Sequence, residues 1–279
     1  MAGVRVADHN PRMTRPPIGD MLQLEFAPTA SRLPERIVPM RPTEGGGPFD
    51  DPAYFFEPWW PGIRAFVLVE GGTVRLRAEA LGDPTAAFPE LAGVADLVRR
   101  DGVVLDTTLM VLDARGRPSR TLLERRLRGE TVSLGGSAAG RGGAPGADVT
   151  AQPGESARNL GGGARGRAAG SRGSAAIVAS DLLYLDGETL GARPFGERRG
   201  ELAAVLRPSS WCLAGRGFVG DGTTVATALG ALGFRALSAR RLDARLRPGY
   251  ARDAWYRVPV VAAPRDLPPF LAVLRGLPL

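Results

Sequence analysis

The sequence has 279 residues, enough for one large domain or two small ones, and its 44% hydrophobic and 23% charged residues are typical of a globular protein. It contains no run of 18 apolar residues and no apolar signal segment at its start, so we expect neither a membrane span nor secretion. The single cysteine and the single histidine, Cys212 and His9, exclude an internal disulfide and a Cys/His zinc site, and the expected compartment is the reducing cytoplasm.

All 36 basic residues are arginine, and the sequence contains no lysine. Arginine stays protonated at neutral pH and does not serve as a covalent nucleophile, whereas lysine does so once its pKa is lowered. Chemistry that needs a lysyl intermediate is therefore excluded at every position of this chain. The net charge of +7 is compatible with binding a polyanion such as DNA, and equally with a solvated basic surface.

The start of the chain, residues 1–36, is rich in proline and shows little periodicity, which predicts an extended or disordered arm. The predicted domain spans 37–260, and its first strand is the aromatic segment 54–56. Two prolines then flank the adjacent pair Trp59 and Trp60. Because these prolines fix φ and remove backbone donors, we predict a rigid segment that is not an ordinary central strand. Taken alone, the segment is typical of a buried aromatic turn.

Alternating apolar residues predict two strands at 63–69 and 73–77, joined as a hairpin by a turn with two glycines. The segment 88–100 has apolar residues at helical spacing and is predicted to form an amphipathic helix. The later predicted elements, in chain order, are strands at 103–106 and 109–112, a helix through Leu122 and Leu127, a strand from Ala176 into 181–187, a helix from Glu197 to Leu206, a helix through Val225 and Leu232, and a strand from Phe234 to Arg241.

Residues 128–175 contain 14 glycines and six arginines against three acidic residues. This composition buries too little apolar surface to offset the entropy of ordering, so we predict a disordered insertion inside the domain. The insertion is either a passive linker or a contact to nucleic acid through charge and stacking. The chain closes with a tail at 261–279, whose apolar segment 269–274 either packs on the domain or docks on a partner.

One stretch resembles the nucleotide-binding motif of ATP-dependent DNA ligases of the bacterial end-joining type. That family has Glu-x-Lys-x-Asp-Gly-x-Arg, in which the lysine takes AMP, and this chain has Glu-Pro-Trp-Trp-Pro-Gly-Ile-Arg. Glu57, Gly62 and Arg64 match the family. Trp59 stands at the position of the lysine and Pro61 at that of the aspartate.

Further segments resemble the same family, in the same order and at compatible spacings. Where the family has Leu-Asp-Gly-Glu, Asp106 matches and Thr108 replaces the glutamate. Ser180 replaces a phenylalanine that stacks on adenine in the family. In the strand that resembles Glu-Gly-Ile-Val-Ala-Lys-Arg, Arg235 replaces the glutamate and Arg240 the lysine. The closing Trp-x-Lys of the family is similar to Trp-Tyr-Arg here, with Arg257 at the lysine position.

The resemblance implies an α+β fold in which two mainly antiparallel sheets with flanking helices enclose a nucleotide cleft, as in the ATP-grasp-like adenylation domain. No segment resembling the OB-fold domain of active ligases follows it, so we expect none in this chain. ATP and Mg²⁺ are the implied cofactors, with Glu57, Arg64, Arg240 and Arg257 as the implied nucleotide contacts. No catalytic position is intact, since the four replaced ones hold Trp59, Pro61, Thr108 and Arg235. At the lysine position, Trp59 either stacks on a ligand or plugs the cleft.

Three hypotheses for function follow. The first is a pseudoenzyme, a ligase-like binding or scaffold module whose partner is DNA or a DNA-repair protein. The second is a working DNA ligase or nucleotidyltransferase that uses another nucleophile or a partner subunit, and Cys212 and His9 are the only side chains of this chain available as the nucleophile. The third is a module that senses a nucleotide without reacting with it.

Overall fold

A computed structural model describes residues 33–79, 81–129 and 173–277 of the chain. Its strands are β1 Met40–Arg41, β2 Thr43–Glu44, β3 Asp51–Pro58, β4 Ile63–Glu70, β5 Thr73–Arg77, β6 Val103–Leu112, β7 Ser174–Leu185, β8 Glu188–Thr189, β9 Cys212–Ala214, β10 Phe218–Gly220, β11 Ala236–Arg241, β12 Gly249–Tyr250 and β13 Trp255–Pro259. Its α-helices are α1 Arg120–Leu127, α2 Phe195–Val205, α3 Gly222–Ala231 and α4 Phe270–Arg275, and 3₁₀ helices span Thr85–Ala87 and Pro89–Asp96.

Two large sheets dominate the architecture. One has the strand order β10-β3-β11-β13-β2, and the other has the order β5-β4-β6-β7-β8, with β9 beside β7. Most neighbours run antiparallel; β13 with β2, β7 with β9, and the small pair β1 with β12 are parallel. The predicted α+β class with mainly antiparallel sheets is confirmed. Within the described ranges, no helix combines the length and the apolar character needed to cross a membrane.

Two large hydrophobic cores hold the sheets and helices together, and the second has members from both sheets, with β6, β7 and β9 beside β3 and β11. Residues of β4 to β7 pack with α1, α2 and the second 3₁₀ helix, and Leu105, Leu123 and Leu202 are among the buried members. The second core joins β3 and β11 to α3 and α4, with Trp60 set edge-on against Phe234 and Phe270 at ring-centre distances of 5.2 Å. Trp60 therefore anchors the segment that follows β3 in the second core.

The hairpin β4–β5 forms as predicted. Val69 pairs with Val74, and the two connecting residues Gly71 and Gly72 both have positive φ, 56° and 72°. This is the backbone that a two-residue hairpin turn requires and that glycine adopts without strain.

Three predicted elements were wrong in detail. The helix expected at 88–100 is a 3₁₀ helix at Pro89–Asp96, because its two buried residues, Leu91 and Val94, stand three apart and a three-residue turn aligns them. The strands expected at 103–106 and 109–112 are one continuous strand, β6. The third is the proline-flanked segment, which was not expected in a central strand: Pro58 is the last residue of β3, and β3 has neighbours on both sides. The backbone N–H of the next residue, Trp59, still donates to the backbone oxygen of Ala236.

The predicted domain limits also shift where they can be seen. Leu33, assigned to the arm, is buried against Phe66 and Leu68, so ordered packing begins before residue 37. Ser174–Ala175, assigned to the insertion, already belong to β7, and the rest of that segment from 130 to 172 lies outside the described residues. In the tail, α4 packs into the second core, so this segment belongs to the domain.

Candidate functional site

A cavity of about 300 Å³ is lined by residues from both large sheets and from the small pair β1–β12. This volume lies at the lower end of the range of about 300–1,000 Å³ that is usual for ligand sites. The lining residues are Arg41, Pro42, Glu57, Pro58, Trp59, Trp60, Gly62, Arg64, Glu79, Asp106, Thr107, Thr108, Val178, Ser180, Ser238, Arg240, Tyr250 and Trp255.

The cavity brings together five of the eight site residues named from the sequence: Glu57, Trp59, Arg64, Thr108 and Arg240. Pairing of the central strands explains this, since Arg64 on β4 lies opposite Thr108 on β6, and Glu57 on β3 lies opposite Ser238 on β11.

The other three site residues lie outside the lining of this cavity. Pro61 is exposed in the turn before β4. Arg235 is exposed just before β11 and lines a different hollow; it stands five residues before Arg240, and an odd spacing points to the opposite face of a strand. Arg257 pairs with Glu44 at 3.1 Å on the neighbouring strand.

Trp59, at the family's lysine position, forms part of the cavity wall. Its two neighbours here, Trp255 and Arg257, both belong to β13. The ring centre of Trp255 lies 6.3 Å from that of Trp59, and the guanidinium carbon of Arg257 lies 5.6 Å from the Trp59 ring centre. The indole is only partly buried, and the cavity persists beside it. Of the two alternatives for Trp59, a complete plug does not describe this arrangement, because the side chain borders the space without filling it.

Arg64 is bound internally by the carboxylate of Asp106. Its Nε donates to Oδ1 at 2.8 Å and its Nη2 to Oδ2 at 2.5 Å, a two-pronged pairing that suits a guanidinium. The remaining Nη1 donates to the backbone oxygen of Met40 at 2.5 Å. The same group stacks on Trp255, with 4.9 Å from the guanidinium carbon to the ring centre. Each nitrogen of Arg64 already has a partner within the chain.

Arg240 is also held internally, and it is almost fully buried. Its Nη1 lies 3.3 Å from Asp181 Oδ2 and its Nη2 lies 3.9 Å from Asp106 Oδ2. Asp181 in turn receives two hydrogen bonds from Arg198, at 2.9 and 2.8 Å, and both partners of that pair are fully buried. Burial lowers the pKa of Arg240, against the opposing pull of Asp106, Asp181 and Glu57.

These five side chains alternate in charge through the interior, and we call them the ion-pair chain: Arg64, Asp106, Arg240, Asp181 and Arg198. Charges removed from water are costly unless they are paired, and here each carboxylate faces a guanidinium on both sides. The nucleotide contacts that the resemblance implies at Arg64 and Arg240 stay a prediction, and in this structure both side chains are already paired with the chain's own aspartates. Three arginines face two aspartates, so the ion-pair chain keeps one net positive charge.

Glu57 is the acidic group that the ion-pair chain leaves aside. It is buried, and the nearest cation in an ion pair with it is Arg199, at 3.9 Å between Nη1 and Oε2. Burial raises the pKa of Glu57, and Arg199 and Arg240 only partly oppose this. A carboxyl group with a raised pKa in a cavity wall is suited to donate a hydrogen bond as well as to accept one.

Hydroxyl groups supply further polar surface of the cavity, beside the ion pair of Arg41 and Glu79. Ser180 Oγ lies 3.3 Å from the backbone oxygen of Asp106 and accepts from Arg240 Nη2 at 3.3 Å. Ser238 Oγ accepts from the indole nitrogen of Trp255 at 3.0 Å. Thr107 Oγ1 donates to a backbone oxygen across the strand pair at 2.6 Å. These groups orient the walls, and none of them carries charge.

The residues present do not fit a Mg²⁺–ATP complex. Among the described residues, no group of three or more His, Cys, Asp or Glu side chains is arranged to hold a metal ion. Mg²⁺ bound with a nucleotide usually takes one or two carboxylates besides the phosphates. Of the carboxylates that line the cavity, Asp106 bonds Arg64, Glu79 pairs with Arg41, and burial raises the pKa of Glu57, while Thr108 offers only a hydroxyl. Arg64 and Arg240, at the family's phosphate-binding positions, already pair with Asp106 and Asp181.

Cys212, one of the two alternative nucleophiles, lies in the first hydrophobic core and is fully buried. Burial raises the pKa of its thiol to about 12, so the thiolate needed for attack is disfavoured at neutral pH. Cys212 does not line the cavity. His9, the other alternative, lies outside the described residues.

The site contains residues that motif matching passed over. Arg198 and Asp181 are decisive for the cavity's charge, although neither was named as a site residue. The available signal was Asp181 at the head of an apolar strand segment, since a buried carboxylate in such a place needs a cation. Which of 36 arginines supplies it depends on contacts far apart in sequence.

No protein-family model matches the chain. Among curated proteins it is similar to the multifunctional non-homologous end joining DNA repair protein LigD of Mycobacterium tuberculosis, with 27% identity over 202 residues, which is 72% of this chain and 21% of that protein. It is also similar to LigD of Mycolicibacterium smegmatis, with 22% identity over 225 residues, 80% of this chain and 24% of that protein. The chain thus spans about a fifth to a quarter of the length of these relatives.

Two solved structures are similar in both fold and sequence. One is mycobacterial DNA ligase D complexed with ATP and MES, with a TM-score of 0.54 and 26% identity, covering 80% of this chain and 60% of that one. The other is the ligase domain of M. tuberculosis LigD, also with a TM-score of 0.54 and 26% identity, covering 79% and 58%. The relatives and structural neighbours of this chain are LigD ligase domains, and the predicted resemblance and fold are confirmed.

Proposed function

We propose that this chain is a non-catalytic relative of the LigD ligase domain and acts as a binding module in DNA repair. The observation that carries the proposal is the replacement of the family's AMP-accepting lysine by Trp59 in a sequence without lysine. An indole has no nucleophilic amine, and arginine remains protonated, so no covalent nucleotide intermediate of the family type forms.

The surroundings of Trp59 support the same conclusion. Adenylyl transfer needs a nucleophile, a metal ion held by carboxylates, and cations that stabilise the phosphates. In this cavity the two aspartates of the ion-pair chain pair with Arg64 and Arg240 instead. The missing amine and these internal ion pairs, in a fold that is otherwise retained, together support the proposal.

The alternative of a working ligase has no support in the described residues. It requires a second nucleophile near the cavity, and Cys212 is buried in a core with a strongly raised pKa. DNA or a DNA-repair protein as partner, and a cytoplasmic location, are parts of the proposal that follow from the relatives' role in end joining.

The proposal is tested by incubating the chain with α-labelled ATP and Mg²⁺, followed by denaturing electrophoresis. We expect no labelled band from the natural chain, while the LigD ligase domain run in parallel is labelled. A labelled band that survives denaturation would overturn the proposal, and loss of that band in Cys212→Ala would identify the nucleophile. The double variant Trp59→Lys with Pro61→Asp restores the family motif and shows whether the amine alone is the missing element.

A further inference from the structure

A second hollow, of about 510 Å³, lies next to the cavity and is far more basic. The two hollows share Tyr250, which lines both. We call this second hollow the basic groove. Its lining residues are Met40, Arg241, Asp243, Ala244, Arg245, Arg247, Tyr250, Ala251, Arg252, Asp253 and Ala254. Nearly all of it comes from one connecting segment, 241–254, between β11 and β13.

The backbone of this segment is fixed to the surrounding strands at several points. Leu246 N–H donates to Gly191 at 3.0 Å, and Gly249 N–H donates to Pro39 at 3.0 Å. Ala251 N–H donates to the backbone oxygen of Arg41 at 2.8 Å. Small and apolar residues of the segment turn inward while its arginines face solvent, as Ala244 and Arg245 illustrate. The arginines are thus mounted on a rigid frame, which lowers the entropy lost when a ligand binds.

The arginines of the basic groove differ from Arg64 and Arg240 in how they are paired. Arg241 pairs with Asp243 at 2.7 Å. Arg245, Arg247 and Arg252 are exposed, and among the residues that the structure describes none of the three has a carboxylate partner. Three guanidinium groups therefore face one concave surface with their hydrogen-bonding capacity available. This contrasts with Arg64 and Arg240, which pair with the aspartates of the ion-pair chain.

An aromatic ring stands at the edge of the same surface. Tyr250 is 70% exposed, although large side chains of this kind are usually buried to a greater extent. Its position is set by β12, where it pairs with Arg41 of β1, and the guanidinium carbon of Arg41 lies 5.8 Å from its ring centre. A solvent-facing ring between the basic groove and the cavity is a surface on which a flat ring can stack.

We propose that the basic groove binds single-stranded nucleic acid, with Arg245, Arg247 and Arg252 on successive phosphates and a base stacked on Tyr250. A positively charged groove combined with an aromatic platform is the chemistry that recognises a single strand without sequence preference. Each guanidinium group can donate two hydrogen bonds to the oxygens of one phosphate. Three arginines without carboxylate partners therefore suit a ligand with several phosphates better than a single anion. In a duplex the bases are stacked inside the helix, so no base is available to stack on the exposed ring of Tyr250. The assignment rests on the proposed function as a binding module and names its ligand.

The test is fluorescence anisotropy of a labelled 20-residue oligothymidylate titrated with the full chain at several salt concentrations. In the variant Arg245→Ala, Arg247→Ala, Arg252→Ala, we expect affinity to fall about tenfold or more at low salt, and the slope of log affinity against log salt to fall by roughly 2 for three lost phosphate contacts. Tyr250→Ala is expected to weaken binding roughly tenfold through lost stacking, while Tyr250→Phe retains it.

The matched control removes the same charge elsewhere: Arg115→Ala, Arg265→Ala, Arg275→Ala, three exposed arginines outside the basic groove. The control variant should retain affinity within about threefold. An equal loss in both triple variants would reduce the effect to net charge and overturn the assignment. Stronger binding of the matching duplex, or equal binding of a poly-glutamate peptide, would also overturn it. Far-ultraviolet circular dichroism of each variant verifies that it is folded.

The outcomes separate this inference from the proposed function. A chain that binds the oligonucleotide through the basic groove but becomes labelled by ATP refutes the non-catalytic proposal alone. A chain that is never labelled and does not bind the oligonucleotide refutes the groove assignment alone.

Discussion

Substitution of Asp181 by asparagine tests whether the ion-pair chain stabilises the folded protein. Asparagine keeps the size of the side chain but removes its charge, and it turns an amide N–H₂ toward a guanidinium. Asp181 is fully buried and receives two hydrogen bonds from Arg198 and one from Arg240. The variant therefore leaves Arg198 without its carboxylate and Arg240 with only the more distant carboxylate of Asp106.

The expected loss is large because the cations have no access to water. Removing one partner of a buried ion pair typically costs about 3–5 kcal/mol, a substantial part of the roughly 5–15 kcal/mol by which domains are stable. For a domain of this size each kcal/mol shifts the melting temperature by roughly 2–4 °C, so we expect a decrease of about 6–20 °C. Urea unfolding followed by the fluorescence of the four tryptophans measures the free energy directly.

The control for this experiment is the same substitution in an exposed pair. Asp243 bonds Arg241 at 2.7 Å at the surface, where water and salt screen the charges, so Asp243→Asn should leave the urea midpoint unchanged within error. If Asp181→Asn also leaves the midpoint unchanged, the buried aspartate does not compensate the arginines, and the description of the ion-pair chain is wrong.

Two further changes probe Glu57. A Cβ on Gly215 would lie 2.5 Å from Glu57 Oε2, so Gly215→Ala should destabilise by about 1–3 kcal/mol in urea unfolding, whereas Gly200→Ala on α2, with no atom within 4 Å, should be neutral or stabilising. Burial raises the pKa of Glu57 above its ordinary 4.5, so the folded protein holds this proton more tightly than the unfolded chain, and the stability it contributes is lost as pH rises. Because glutamine mimics the protonated form at every pH, the melting temperature of Glu57→Gln relative to the natural chain should rise between pH 5 and pH 8; a pH-independent difference would contradict this.

Local patterns in the sequence predicted the elements that depend on neighbouring residues. The hairpin β4–β5 follows from alternation and from Gly71 and Gly72, whose positive φ is a property of glycine itself. The second 3₁₀ helix was mistaken for an α-helix because over eight residues an apolar spacing of three fits both periods. The general fold was accessible because the family resemblance fixes strands that composition alone leaves ambiguous.

The state of the cavity's charges could not be predicted in the same way. Motif positions indicated that Arg64 and Arg240 face the cleft, and they do. Their partners Asp106 and Asp181 lie 42 and 59 residues away in sequence, and a motif does not show that these carboxylates bind the arginines instead of a ligand. Arg235 shows the converse, since its alignment with a catalytic glutamate did not bring it into the cavity.

The most direct test of the central claim, that Arg64 and Arg240 are engaged by the chain's own aspartates and not by a nucleotide, is isothermal titration calorimetry of the chain with ATP and Mg²⁺. The claim predicts no saturable heat up to about millimolar nucleotide, where a binding free energy of roughly −4 kcal/mol would already be detectable. Saturable binding of one nucleotide at micromolar concentration, lost in Arg64→Met or Arg240→Met variants that remain folded, would show that these arginines are available to phosphate and would contradict it.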